Sequence, residues 1–355
     1  MIQFCESWDS VRTTTGLAQE YDSAATSAAT SWVAGVVRGF AIRHTQSETA
    51  TTFTRIFSNP GAQSEYVIHF RLLAVENAAS NANHRLVRLF NGGTEQFQVR
   101  LQSNVATGKK LKLVLQRGDA LGISGGTTSE FSPNVPIFVE VKVRLGNSLN
   151  GSFEVRLNGV TDISGSGIST SVTTPLQVDR VTWELDCSTT SGSFVQVEDL
   201  VILDTSSGER TDFLGDVVLE DRVPNGAGDD TDWTPLFGDN WENVDDSPNA
   251  DDDSSYNSGG AAGELDLLNY SDLGYVAKQI VAVVAKARVR NDVAGTTTWR
   301  QTFKDPNSVV VAVGDVKSIS SQTYAPLQQV WEVNPVNGND WKVSDRAQFG
   351  YERVS

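Results

Sequence analysis

The chain has 355 residues, more than most single domains, so its length predicts two domains, each large enough for its own core. Its composition is 39% hydrophobic and 20% charged, as in a globular protein, and its 30 glycines with many Ser, Thr, Asn and Val residues favour strands and turns. A formal net charge of −16 repels phosphate groups and excludes nucleic acid as an expected partner.

The only two cysteines, Cys5 and Cys187, are too few for a disulfide scaffold. They are either reduced thiols in a chain assembled in a cytoplasm, or one bridge between the first and last strands of a sandwich. The start of the chain has no basic region followed by an apolar run, so we expect no signal peptide. No apolar run reaches the roughly 20 residues of a membrane span, so we expect no membrane insertion.

Short strands separated by turn residues fill the first half of the chain. The run at 65–73 alternates, with Tyr66 and Phe70 on one face and His69 on the opposite face, which we expect to be solvated. Asn158-Gly159 is the strongest hairpin signal, because both residues accept positive φ. The predicted strands lie at 31–43, 65–73, 85–90, 96–101, 111–115, 137–145, 152–157, 178–186 and 194–204. This spacing predicts an antiparallel sandwich or jelly roll over residues 1–206.

The second half of the chain differs from the first half in charge and in amino-acid composition. The formal net charge is −3 over residues 1–206 and −13 over residues 207–355. Aromatic residues are interleaved with Asp, Pro, Gly and Asn over 209–272, which favours an ordered, loop-rich entry into a second domain over a disordered linker. We predict a short helix at about 263–269, then strands at 276–290, 296–304, 308–313, 328–332 and 348–354. Residues 207–355 are therefore predicted to form a second, smaller antiparallel sandwich.

Several stretches together carry a family resemblance. They are Phe4-Cys5-Glu6-Ser7-Trp8-Asp9, VEVKV at 139–143, GSFEVRLNGV at 151–160, VEDLVILD at 197–204, FLGD at 213–216, PNGAG at 224–228, WTP at 233–235, NVDD at 243–246 and WEVNP at 331–335. This text resembles accessory structural proteins of tailed bacteriophages and prophages, whose N-terminal half is a concanavalin-like or laminin-G-like jelly roll. The resemblance spans essentially the whole chain, and the motifs in the second half of the sequence are its more specific part.

The resemblance implies an accessory virion protein, assembled in the host cytoplasm and released by lysis, with other tail, neck or capsid proteins as partners. We expect a tail- or fibre-type adhesin that contacts a host-surface glycan or protein through several weak sites acting together. A capsid decoration or cement protein that binds capsid subunits is the alternative. Either role suits a symmetric homo-oligomer such as a trimer.

Recognisable catalytic patterns are missing from the sequence. His44, His69 and His84 lack the spacing of a metal site, and there is no nucleophile elbow or phosphate loop. We therefore predict that the chain is not an enzyme, without excluding glycoside hydrolysis. A polysaccharide depolymerase would need two facing carboxylates, and Glu184-Leu185-Asp186 is the nearest pair, although a pair of surface acids on an alternating strand is the favoured explanation.

Two interpretations apply to each candidate site in the acidic region. Exposed Trp and Tyr side chains flanked by Asp, Asn and Gln are typical of glycan sites, and three aromatic residues either form such a platform or pack beneath the loop: Trp233, Trp241 and Tyr256. Five aspartates within nine residues offer the oxygen ligands that Ca²⁺ prefers, without the spacing of an EF-hand: Asp245, Asp246, Asp251, Asp252 and Asp253. They form either a calcium site or a solvated loop, and we expect no other cofactor.

A basic cluster stands out in the first half of the chain. Its members are Lys109, Lys110, Lys112 and Arg117. It is either a solvated hairpin or a docking patch for an acidic second domain or virion partner.

Overall fold

The computed structural model describes residues 1–7, 13, 21–38, 40–47, 49–57, 64–174, 176–205, 209–246, 250–271, 279–305, 311–342 and 348–355. The chain divides into two compact units, Met1–Glu220 and Asp221–Ser355. We predicted a boundary after residue 206, whereas the described residues 209–220 belong to the first unit. Within the described ranges, no helix is both long and apolar enough to span a membrane.

The described part of the first unit consists of strands and a single 3₁₀ turn, Val105–Thr107. The strands are Ile2–Glu6 (β1), Ser23–Ala25 (β2), Thr30–Ala34 (β3), Phe40–Thr45 (β4), Thr51–Ile56 (β5), Glu65–Val75 (β6), Asn83–Asn91 (β7), Thr94–Asn104 (β8), Lys110–Arg117 (β9), Gly122–Thr127 (β10), Ile137–Arg144 (β11), Gly151–Leu157 (β12), Val160–Ile168 (β13), Arg180–Leu185 (β14) and Phe194–Asp204 (β15). The predicted single strand at 31–43 is thus a hairpin of β3 and β4.

Two antiparallel sheets form a jelly-roll sandwich in this unit. The eight-stranded sheet has the order β13-β12-β11-β6-β15-β4-β3, with β1 also paired to β15, and the seven-stranded sheet has the order β10-β9-β8-β7-β14-β5-β2. Alternate side chains of each strand face inward, and the core includes Phe70 and Trp183, whose rings meet edge to face at 5.6 Å. Cys5 and Cys187 are both buried and are not joined. The predicted all-β fold is confirmed.

A strap, residues 212–220, runs over the outer face of the eight-stranded sheet. Beneath it lie His69 and Glu140, both fully buried, with His69 Nδ1 3.9 Å from Glu140 Oε1. The backbone N–H groups of Leu214 and Gly215 donate to that carboxylate at 2.7 and 2.9 Å. The prediction that His69 is solvated is wrong, because the strap covers it, and burial lowers its pKa to about 3.

Charged side chains anchor the remainder of the strap. Arg71 Nε donates to Asp199 Oδ2 at 2.7 Å, while Arg71 Nη2 donates to Asp216 and to the Val217 carbonyl oxygen. The Leu219 N–H donates to the second oxygen of Asp199 at 2.8 Å. No residue of the strap is itself fully buried, so polar anchors rather than apolar burial hold it in place.

Glu198, on β15, is a buried carboxylate that should make stability depend on pH. Both of its oxygens accept the Val36 N–H, at 3.0 and 2.9 Å, and burial raises its pKa from 4.5 to about 7. Because the folded state favours the protonated form, stability should fall as pH rises from 4.5 to about 7. We expect Glu198→Gln to remove this fall and to gain about 1–2 kcal/mol at about pH 8. Urea unfolding of both proteins across this pH range measures the gain, and an equal gain at acidic pH would contradict it.

The second unit is built around a six-stranded antiparallel sheet with the order β16-β19-β25-β21-β22, in which β23 also pairs with β21. Two short ladders, β17–β18 and β20–β24, accompany it. The strands are Pro224–Thr231 (β16), Thr234–Pro235 (β17), Asn257–Ser258 (β18), Leu265–Tyr270 (β19), Val283–Val289 (β20), Thr297–Lys304 (β21), Val311–Val313 (β22), Lys317–Ile319 (β23), Ala325–Trp331 (β24) and Gln348–Arg353 (β25). Its 3₁₀ turns are Asn240–Asn243 and Asp252–Ser254.

The helix predicted at about 263–269 is wrong. The segment is β19, which pairs with β16 on one side and β25 on the other, and this tertiary pairing overrides the local preference of its leucines. The small core of the unit contains Phe303, Trp331 and Trp341, where Phe303 and Trp341 meet edge to face at 5.1 Å. The predicted strand start at residue 276 lies outside the described residues.

Candidate functional site

The outer face of the seven-stranded sheet is polar and predominantly basic. Successive side chains of a strand point to opposite faces, so the residues between the core positions of β5, β14, β7, β8 and β9 all project outward together. They include six basic and two acidic side chains: Arg85, Arg88, Arg100, Lys110, Lys112, Arg180, Glu95 and Glu184. We call this surface the cationic face, and it contrasts with a chain whose net charge is −16.

Hydrogen-bonding side chains form a row across the five strands of the cationic face. Cross-strand partners run in the order Thr54, Thr182, Arg88, Gln98 and Gln116. Since neighbouring strands lie about 4.8 Å apart, the row is about 20 Å long. Thr54, Arg88 and Gln116 are half-buried, whereas Thr182 and Gln98 are only 7% and 1% exposed. An extended polymer lying across the strands would therefore meet every second side chain of the row.

Arg88 is the centre of this row. Its Nε and Nη2 donate to Glu95 Oε2 at 3.0 and 2.6 Å, and its Nη1 donates to Glu184 Oε2 at 3.0 Å. Arg85 approaches the other oxygen of Glu184 at 3.4 Å. Phe90 lies beneath two guanidinium groups, with its ring centre 5.0 Å from Arg88 and 4.5 Å from Arg180. The two carboxylates therefore form ion pairs with Arg85 and Arg88.

The other four cations of the face have no carboxylate within ion-pair distance among the described residues. Arg100 donates only to Asn83, from Nε to the side-chain oxygen at 2.8 Å and from Nη2 to the backbone oxygen at 2.7 Å. Burial, followed by the neighbouring positive charge of Arg85, lowers the pKa of Arg100. Lys110, Lys112 and Arg180 likewise make no ion pair in the described ranges, although the Glu130 carboxylate interacts electrostatically with Lys110 and Lys112 from beyond that distance. The face thus holds positive charge that its own ion pairs compensate only in part.

Some of the unpaired hydrogen-bonding atoms of the first unit lie on the same face. Considering only the part of the chain that the structure describes, five atoms of the cationic face are buried without a hydrogen-bond partner: Arg85 Nε, Glu95 Oε1, Gln98 Oε1, Gln116 Oε1 and Arg180 Nε. Buried polar atoms are normally paired, so their grouping on one surface indicates a site for a polar ligand.

The structure separates the predicted basic docking patch. Lys110 and Lys112 project onto the cationic face, opposite Asn104 and Gln102. Lys109 lies in the preceding turn and donates from Nζ to the Asn77 carbonyl oxygen at 2.8 Å. Arg117, at the far end of β9, is opposite the inward-facing Phe97 and pairs with Asp119 at 2.7 Å. Two of the four residues therefore share a surface, because side chains alternate along the strand.

The three predicted ligand-binding aromatic residues lie in neighbouring segments of the second unit. Trp233 precedes β17 and Tyr256 precedes β18, its ladder partner, while Trp241 lies in the 3₁₀ turn whose Asn240 donates to the Trp233 carbonyl oxygen at 2.9 Å. Trp233 packs against the Tyr351 ring at 4.5 Å, and a Cβ added at Gly259 would lie 2.6 Å from the Trp233 indole. Trp233 is thus packed on its faces, and ligand binding by these residues stays a prediction.

The predicted calcium ligands point to different partners. Asp246 and Asp251 face Ser255, which donates to Asp251 Oδ1 at 2.6 Å, and burial raises the pKa of Asp246 to about 6. Asp252 pairs with Arg288 at 2.7 Å, and Asp253 pairs with Arg290 at 2.7 Å, while Asp245 is half-buried. The described residues contain no group of three or more His, Cys, Asp or Glu side chains arranged to hold a metal. Calcium binding stays a prediction.

Glu184 and Asp186, the carboxylate pair predicted to be nearest to a catalytic pair, lie in different environments. Glu184 belongs to the cationic face, whereas Asp186 lies 3.1 Å from His84 Nδ1. Glu76 accepts from His84 Nε2 at 2.8 Å and from the Ser188 N–H at 3.0 Å. Despite its desolvation, these hydrogen bonds lower the pKa of Glu76 to about 2, while the two carboxylates outweigh desolvation and raise the pKa of His84 to about 9. This buried cluster joins the ends of β6, β7 and β14.

No known family model matches the chain, and no curated protein matches it either. Among solved structures, alginate lyase Aly36B has a TM-score of 0.41 at 12% identity, covering 56% of this chain and 95% of its own. Endo-β-1,4-glucuronan lyase from the fungus Trichoderma reesei has a TM-score of 0.40 at 14% identity, covering 57% and 95%. The carbohydrate esterase vb_24B_21 from Shiga toxin-encoding bacteriophage phi24B has a TM-score of 0.38 at 15% identity, covering 56% and 98%. These similar structures are carbohydrate-active proteins, and the likeness extends to the fold alone.

The prediction that the chain is not an enzyme is contradicted by these comparisons. Several structures with a similar fold are polysaccharide lyases and one is a carbohydrate esterase. The prediction rested on missing motifs, and such motifs are tied to particular folds and sequences. Residues brought together across a sheet by non-local pairing leave no such motif. The absence of motifs from the sequence therefore does not exclude an active site.

The cationic face was missed by sequence reasoning, apart from Lys110 and Lys112. Arg85, Arg88 and Arg100 occupy outward positions of predicted strands, so a comparison of outward residues between successive strands would have found part of it. Arg180 and Glu184 come from β14, which inserts between β5 and β7 from far along the chain. That placement depends on strand order, which local patterns do not give.

Proposed function

We propose that the chain binds a glycan across its cationic face, as a component of a virion that contacts a host surface. The observation that carries this proposal is the row of hydrogen-bonding side chains from Thr54 to Gln116, with unpaired polar atoms grouped around it. Sugar hydroxyls both donate and accept hydrogen bonds, so they can satisfy amide oxygens and guanidinium nitrogens on the same surface. A partner with only hydrogen-bond acceptors, or only donors, could not satisfy both kinds of atom.

The geometry of the face also suits a chain-like ligand. The row crosses five strands of a sheet whose other side is the packed core of the unit, so its side chains are held on a rigid scaffold. The buried ring of Phe90 supports the guanidinium groups of Arg88 and Arg180 from beneath. Repeated weak contacts along a row favour a polymer over a single sugar, because each unit of the polymer adds its own contacts.

The chain is proposed to act as part of a virion. The resemblance to accessory phage structural proteins supports a tail- or fibre-type adhesin, with other virion proteins and a host-surface glycan as partners and with homo-oligomers, such as trimers, presenting several faces at once. Location of the chain in an intact particle by antibody labelling tests this setting. Labelling of the capsid face alone would favour the decoration role instead.

Cleavage of the bound glycan is the second candidate function. Glu95 and Glu184 lie on either side of Arg88 in the centre of the row, and paired carboxylates are the usual groups for glycoside hydrolysis. New reducing ends released from a bound glycan, and their loss in Glu184→Gln, would support cleavage. Stable binding without products would contradict it.

A glycan array probed with the full chain tests the proposed binding. Thr54→Val and Gln116→Ala should each weaken binding about threefold to tenfold, because one net hydrogen bond contributes about 0.5–1.5 kcal/mol. Thr161→Val, on β13 of the other sheet, is the matched control and should bind like the original chain. A glycan bound with equal affinity by all four proteins would place the site elsewhere.

A further inference from the structure

We propose that the glycan recognised by the cationic face is an anionic polysaccharide whose sugar units carry carboxylates. This inference rests on the proposed function and names the class of its ligand. It is carried by the four cations of the face that make no ion pair with a carboxylate among the described residues: Arg100, Lys110, Lys112 and Arg180.

The placement of these cations is the first argument. They lie on both sides of the row through Arg88, with Arg180 on β14, Arg100 on β8, and Lys110 and Lys112 on β9. Arg180 lies two residues from the row on one side, and Arg100, Lys112 and Lys110 lie two, four and six residues from it on the other side. A polymer that crosses the face at an angle to the row would therefore meet these charges in succession. A neutral glycan would leave all four uncompensated.

The electrostatic state of Arg100 is the second argument. Arg85 is its cross-strand partner, and burial followed by this positive neighbour lowers the pKa of Arg100, which Asp186, Glu184 and Glu95 offset only in part. Two guanidinium groups side by side repel each other, and a carboxylate between them would relieve that repulsion. Guanidinium and carboxylate groups also match as paired hydrogen-bond donors and acceptors.

A polysaccharide fits this face better than a nucleic acid. The net charge of the chain is −16, which opposes the dense phosphate charge of a duplex. The row contains Thr and Gln side chains, which suit sugar hydroxyls between well-spaced charges. Binding of double-stranded DNA is therefore an outcome that the experiment must include.

The test compares polymers that differ only in charge. The full chain is titrated with polygalacturonate, alginate and hyaluronate, and with the carboxyl-reduced form of each, in which the same backbone is neutral. We expect binding to at least one carboxylated polymer and at least tenfold weaker binding to its reduced form. Binding should also weaken steeply at high salt, because exposed charges are screened.

Variants locate the site. Arg100→Gln and Lys112→Gln should each weaken binding to the carboxylated polymer about fivefold to tenfold and weaken binding to the reduced polymer by a smaller factor. Arg144→Gln makes the same chemical change at an exposed position of the eight-stranded sheet and should have no effect. Unfolding curves of all variants confirm that each is folded.

The outcomes separate the two proposals. Equal binding of native and reduced polymers, sensitive to Thr54→Val, would overturn the anionic ligand and leave glycan binding standing. Tighter binding to DNA, lost in Arg100→Gln, would overturn both, as would failure of every glycan to bind. Charge-selective binding unaffected by Arg100→Gln and Lys112→Gln would overturn the assignment to this face.

Discussion

Replacing Arg71 by alanine is expected to destabilise the first unit by about 3–5 kcal/mol. Arg71 is 7% exposed and is the cation that pairs with Asp199, itself 5% exposed. Without it, the carboxylate of Asp199 stays buried with only the Leu219 N–H as a partner for its other oxygen, and the strap loses its contact at Val217. Calorimetry of the full chain should show one unfolding transition lowered by about 10 °C.

Three further variants distinguish a buried charge from a surface contact. Asp216 pairs with the same arginine but its side chain is 61% exposed, so Asp216→Asn should cost less than about 1 kcal/mol. Arg71→Ala combined with Asp199→Asn should recover part of the loss, because the unpaired charge is gone. Arg144→Ala, exposed on the same sheet, should be neutral. Equal losses in Arg71→Ala and Asp216→Asn would contradict the assigned burial.

Replacing His84 by glutamine is expected to remove a pH dependence of stability that the original chain shows between about pH 6.5 and 9. The pKa of His84 is raised from 6.5 to about 9 by its two carboxylate partners. A raised folded-state pKa gives a stabilisation that is complete below 6.5 and is lost as pH rises through about 9. Below pH 6.5, His84→Gln should cost about 2–3 kcal/mol.

Urea unfolding at several pH values measures this loss. The difference between His84→Gln and the original chain should shrink steadily as pH rises through about 9. His44→Gln is the matched control, because desolvation lowers the pKa of His44 and its titration should affect stability only below about 6.5. A difference that is constant with pH would show that His84 acts by packing rather than by charge.

Alternation along strands allowed much of the first unit to be predicted from the sequence. The inward positions of β6 and β11 follow directly from their period of two, as does the placement of Trp183 in the core. The pairing of strands distant in sequence was not accessible, because the hydrogen-bond ladder of a jelly roll is non-local. The cationic face depends on exactly that pairing, since β14 lies between β5 and β7.

The errors at His69 and at β19 have one physical source, which is a contact made by a segment distant in sequence. His69 has the pattern of a solvated residue, and its burial comes from a strap more than 140 residues later in the chain. The segment at β19 has leucines that suit a helix or a strand, and its two neighbours decide between them. Side chains alternate between the two faces of β9, which places Lys110 and Lys112 on one face and Arg117 on the other. This separation follows from the period of two residues once the segment is assigned as a strand.

The cationic face gives the molecule a strong charge asymmetry, because most of its acidic residues lie elsewhere. At physiological salt the Debye length is about 8 Å, so an approaching polymer senses mainly the nearest surface and not the net charge. Collisions in which the polymer approaches the cationic face should then lead to binding more often than collisions with other surfaces. In dilute buffer the Debye length grows to about 30 Å and the overall charge of −16 repels an anionic partner from every side. The association rate should therefore pass through a maximum at intermediate ionic strength.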